Sequence, residues 1–109
     1  MKEQAVLDKA VEIIRQVSQQ YQVQVERIFL FGSRARGQAR AESDWDFYVL
    51  VDRDLTFADK RRLVTSIKRA LARARIPNDV ILKSTRRFRE TRDYAGCLAY
   101  EVEREGIVV

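Results

Sequence analysis

Histidine is absent from this chain, and its absence removes a large part of catalytic chemistry. No imidazole base, no triad built on one and none of the common zinc sites can form. A single cysteine, Cys97, allows no intrachain disulfide. No apolar run approaches the length of a membrane span. The N-terminal stretch "MKEQAVLDKAVEIIRQ" is charged and amphipathic and lacks the apolar core of a signal peptide. A cytoplasmic protein is expected. Chemistry in such a chain has to run on carboxylates, hydroxyls, basic side chains or a bound metal.

What is present is ordinary in bulk. The 109 residues suit one domain, expected to span 1–109, with 46% hydrophobic and 34% charged residues. Net charge is +5, from 21 Lys plus Arg against 16 Asp plus Glu. That balance suits a polyanionic partner or nucleotide phosphates, and equally a soluble basic surface. The arginines are spread along the chain rather than gathered in a tail.

Periodicity supplies the elements. Val6, Leu7, Ala10, Val11, Ile14 and Val17 recur at helical spacing over the first twenty residues. "VERIFLF" (25–31) reads as a strand ended by Gly32, and "SRARG" has room for a turn of helix. Residues 38–43 are loop-like, and "DWDFYVLV" is a second strand. Thr56 with Asp59 resembles a capping box opening a long helix that Pro77 ends. "NDVILK" is a third strand, and Ser84 caps a basic helix reaching about Arg92. Residues 94–105 read as a last helix with Gly106 at its C-terminal cap. The apolar "GIVV" suits an edge strand or an assembly contact. The predicted class is α/β or α+β, with helices flanking a small mixed sheet.

The chemically loud stretch is "FGSRARGQARAESDWDFYVLV". Residues i and i+2 of a strand share a face, so Asp44 and Asp46 project together, away from Trp45, Phe47 and Val49. Their Cβ atoms would lie roughly 6 to 7 Å apart. Like charges that close repel unless something lies between them. Mg²⁺ takes oxygen ligands, usually one or two carboxylates plus substrate phosphates, and paired ions serve in-line displacement at phosphorus. Taken alone, Asp44 reads as well as a cap and Asp46 as an edge-strand charge. Gly32 lets a backbone approach a ligand closely, and Ser33, Arg34 and Arg36 add a donor and charge for phosphate. Asp79, near the start of the third strand, reaches the same pocket if that strand neighbours the second. By itself it reads as a turn residue after Pro77-Asn78.

Together these residues resemble the nucleotidyltransferase superfamily typified by DNA polymerase β. Its signature is Gly-Ser, ten residues, then Asp-x-Asp, matched here by Gly32-Ser33, residues 34–43 and Asp44-Trp45-Asp46. The stretch and the tail "AGCLAYEVEREGIVV" look closest to minimal nucleotidyltransferases, often the MntA-like antitoxin half of HEPN/MNT toxin–antitoxin pairs. The resemblance implies the polymerase β-like fold. It implies that Gly32 and Ser33 hold the phosphates of ATP, with Arg34 and Arg36 beside them. It implies that Asp44, Asp46 and Asp79 are catalytic and bind Mg²⁺, two ions in all. The implied reaction is AMPylation, transfer of AMP to a tyrosine of a cognate HEPN ribonuclease toxin. Neither a membrane nor direct nucleic-acid binding is implied. Two other readings stand beside this one. One is a non-catalytic antitoxin that neutralises its toxin by stoichiometric contact. The other is a free-standing nucleotidyltransferase acting on a small molecule or an RNA end.

Overall fold

The computed structural model describes residues 2–109. Four helices flank a four-stranded mixed sheet, an α+β architecture. The elements are α1 (Lys2–Gln20), β1 (Val25–Phe31), β2 (Trp45–Val51), α2 (Phe57–Arg73), β3 (Asn78–Ser84), α3 (Thr85–Thr91), α4 (Leu98–Glu105) and β4 (Ile107–Val108). The strand order is β3-β2-β1-β4. β1 runs antiparallel to both neighbours, whereas β2 and β3 are parallel. A parallel pair needs a crossover, and α2 supplies it.

β2 is apolar on both faces because it is central and covered on both sides. Trp45, Phe47, Val49 and Val51 point into the larger core with Ile28 and Leu30 of β1, Val80 and Leu82 of β3, Ile14 of α1 and Leu63, Ile67 and Leu71 of α2. Tyr48 and Leu50 point the other way, onto Phe29, Phe88 of α3 and Ala99 and Val102 of α4. Phe88 anchors that smaller core, its ring 5.6 Å from Phe29 and 5.7 Å from Tyr48. Thr56 caps α2 by accepting from the Asp59 N–H, and Ser84 caps α3 by accepting from the Arg87 N–H. Among the described residues no helix is long and apolar enough to cross a membrane.

Three local expectations need correction. Residues 32–37 form successive turns rather than a turn of helix: one Arg36 N–H to Gly32 C=O bond is not continued. β2 begins at Trp45, leaving Asp44 on the loop before it. The last helix starts at Leu98 and not at 94, because Tyr94 and Cys97 close turns on Thr91 and Tyr94 and Gly96 sits at φ +100°. Gly106 caps that helix as expected, in an extended conformation with its N–H on Val102 O. The "GIVV" segment then adds β4 to the free edge of β1.

Candidate functional site

The loud stretch is a hairpin between β1 and β2, with the Gly-Ser turn at one end. Register places Asp46 opposite Phe31, the residue before Gly32. Asp46 is therefore delivered against the turn by the strand ladder itself. The fit is close: a Cβ on Gly32 would stand 2.1 Å from Asp46 Oδ2, and Gly32 has φ +75°. Both the approach and the backbone angle call for glycine. Among the described residues no hydrogen bond ties the Ser33 hydroxyl, which leaves it available to a ligand.

The parallel pairing brings in the third carboxylate. Asp46 and Asp79 are register partners across β2 and β3, on the face shared with Tyr48 and Ile81. Burial raises the Asp46 carboxyl above the ordinary aspartate value, and the charges of Asp79 and Asp44 push it the same way, against Arg36. The four charged groups thus feel one another at one end of the strands. They do not form a ready-made cage: among the described residues no three His, Cys, Asp or Glu side chains stand close enough together to hold a metal ion. Asp79 Oδ1 lies 3.5 Å from Lys68 Nζ, a partner on α2 that no sequence motif announces. Both side chains are about half exposed, so the pair opens at little cost. The donor set itself suits Mg²⁺: hard carboxylate oxygens whose mutual repulsion Arg36 and Lys68 offset only in part, where one or two carboxylates suffice beside substrate phosphates.

The two arginines part company. Arg34 has a side chain only 6% exposed and is turned inward. Its guanidinium lies 4.2 Å from the Trp45 ring centroid and donates to the carbonyls of Arg40, Ala41 and Ser43 and to Glu3. Its donors are spent on holding the 40–43 loop, which carries Asp44. Arg36 is exposed, and its charge bears on Asp46. Replacing Arg34 by alanine is expected to cost about 2 kcal/mol in chemical denaturation, from lost charged hydrogen bonds. Amide exchange across 40–44 should quicken, and Arg34→Lys should restore little, because only the planar fork serves several carbonyls at once.

A family model for polymerase beta nucleotidyltransferases matches residues 12–109. None of the curated proteins matches the chain. Among the solved structures that share its fold, two have TM-scores near 0.6. One is a toxin–antitoxin with AMP-PNP, at 22% identity and TM-score 0.59, covering 89% of this chain and 69% of that one. The other is a mutant MntA–HpeT toxin–antitoxin in which two aspartates, two positions apart, are replaced by glutamate. It has 20% identity and TM-score 0.58, covering 93% of this chain and 69% of that one. The family model spans both the Gly-Ser hairpin and the strand that brings Asp79 beside it, and by that match the chain belongs to the polymerase β nucleotidyltransferase family.

Proposed function

We propose that this chain, acting as one domain over 1–109, transfers AMP from ATP to a hydroxyl of a partner toxin and so serves as its antitoxin. The observation that carries the reading is the close approach of the Gly32 backbone to the Asp46 carboxylate, which sets the glycine turn proposed to bind phosphate directly against a carboxylate proposed to bind metal. The similar solved structures, toxin–antitoxin assemblies of which one holds AMP-PNP, support the choice of partner and donor. A tyrosine of an HEPN ribonuclease is the proposed acceptor.

In this reading the Gly32 and Ser33 N–H groups and the Ser33 hydroxyl bind the triphosphate, and Arg36 neutralises it. Asp44 and Asp46 would hold Mg²⁺, with Asp79 as a third ligand, and a metal bound there would offset charge on the phosphates. Asp79, released from Lys68, accepts the proton of the acceptor hydroxyl. The acceptor oxygen bonds to the α-phosphorus, the bond from that phosphorus to the bridging oxygen breaks, and pyrophosphate leaves. Because Arg36 touches substrate in both ground and transition states, Arg36→Ala should raise KM for ATP roughly tenfold with a smaller change in kcat.

The test is mass spectrometry of a co-expressed candidate toxin after incubation with ATP and Mg²⁺, comparing wild type with an Asp44→Ala, Asp46→Ala double variant. Added mass in units of AMP, lost in the variant, supports transfer. No added mass, with the complex intact and the toxin silenced, favours a stoichiometric antitoxin. The Lys68–Asp79 ion pair gives that second reading its foothold.

A further inference from the structure

β3 is an open edge. Its one neighbour in the sheet is β2, so its outer row of N–H and C=O groups has no strand partner. The opposite edge is β4, two residues long; β3 has seven and runs roughly 23 Å. A groove of about 670 Å³ follows this edge. Phe57, Lys60, Arg61 and Val64 of α2 form one wall, the Cys97–Ala99 segment forms the other, and residues 80–83 are the floor. Phe57 is 80% exposed, an unusual position for a phenylalanine with no partner.

The groove's charge has one sign. Among the described residues Lys60, Arg61 and Lys83 enter no ion pair. Arg87, which among the described residues enters no ion pair either, stands beside Lys60 and Lys83 around a smaller hollow of about 210 Å³, whose one carboxylate, Asp54, is already paired with Arg86. Burial, together with the charges of Lys83 and Arg87, holds the Lys60 ammonium below the usual lysine range. A carboxylate seated there would relieve that repulsion. A second copy of this chain would not: pairing β3 with β3 about a two-fold axis puts both α2 helices on one face of the joined sheet, with Lys60 and Arg61 of each copy turned toward those of the other.

We infer that the outer edge of β3 docks an extended segment of a partner protein in which apolar side chains alternate with carboxylates. Strand addition satisfies the open backbone groups; the carboxylates, all on one face of the added strand, meet Lys60 and Arg61 of α2, and the apolar side chains on its other face meet Leu98. The groove floor begins at Val80, the residue after Asp79, so a segment lying in it passes beside the carboxylates. The inference rests on the transferase reading in one respect: the partner is the protein that receives AMP.

The probe is a labelled, end-capped peptide of alternating valine and glutamate, read by fluorescence anisotropy against the full chain. A counterpart with lysine for glutamate is the control. The glutamate peptide should bind and the lysine peptide should not. Arg61→Glu and Lys60→Glu should each weaken binding roughly tenfold, the size of one lost charge contact turned repulsive. Amide exchange at residues 80–83 should slow on binding. Asp46→Asn should bind as wild type does, so failure of the transfer chemistry leaves this result standing. Equal binding of both peptides, indifference to Arg61→Glu, or protection of α2 without β3 would each overturn the inference. Concentration-dependent dimers that protect 80–83 without peptide would assign the edge to a second copy and overturn it as well.

Discussion

Asp46→Asn is expected to abolish transfer while making the protein more stable. A carboxamide keeps the shape but gives up the charge, and losing one metal-binding carboxylate removes several kcal/mol of transition-state stabilisation, roughly a thousandfold or more in rate. The stability gain follows from the sign of the Asp46 shift. Its carboxyl is raised in the folded protein by burial and by Asp79 and Asp44. The folded state therefore holds that proton more tightly than the unfolded chain does. The cost of ionising Asp46 in the fold is fully present above its folded value and fades as pH drops through it. It is gone below the ordinary value of 3.8, where both states are protonated. In the presence of a chelator, Asp46→Asn should melt above wild type at pH 7, with the gap closing as pH falls. A variant that melts below wild type at pH 7 would contradict this account of the carboxylates.

Gly32→Ala should separate activity from stability in the opposite sense. A left-handed angle costs an alanine about 1–2 kcal/mol, some of which the loop can relax. The colliding atom is the end of a side chain, so the clash is relieved by swinging the Asp46 carboxylate away. That movement adds little to the stability cost but misplaces the group by an ångström or more, which is worth roughly a hundredfold in rate. Gly37 provides the control. It has φ +71° in the same loop, yet an added Cβ meets nothing within 4 Å. Gly37→Ala should lose about the same stability and keep its activity. If the two alanine variants lose activity equally, the Gly32–Asp46 contact is not what matters at this turn.

Much of this was legible in the chain, for reasons that can be given residue by residue. β1 was readable at its full length because Gly32 stops it and its apolar residues run unbroken from Ile28. The caps Thr56 and Ser84 were readable because a cap hydrogen bond is local. The neighbour relation of Asp46 and Asp79 was readable only as a conditional, since it depends on which strand lies beside β2. The start of α4 was misread because Tyr94 and Ala95 tolerate a helix and the Gly96 angle leaves no trace in composition. Arg34 and Arg36 look alike in a string of letters. Only the three carbonyls turned toward one of them, across a loop that has no repeating pattern, reveal that Arg34 is a brace. Lys68 was invisible for the same reason: α2 carries many cations, and the crossover alone decides which one meets Asp79.

The crossover also sets an order of assembly. Gly32 and Asp46 face each other within one hairpin, closed by a loop short enough to find its register early. Asp79 arrives only after α2 has carried the chain back across the sheet and β3 has docked in parallel, a pairing distant in sequence. A partly folded molecule holding the hairpin alone has the glycine turn and two of the acids but lacks the third. The contacts of Leu63 and Ile67 beneath α2 hold that late step in place, so loosening the core there would part the third acid from the other two before the hairpin itself gives way.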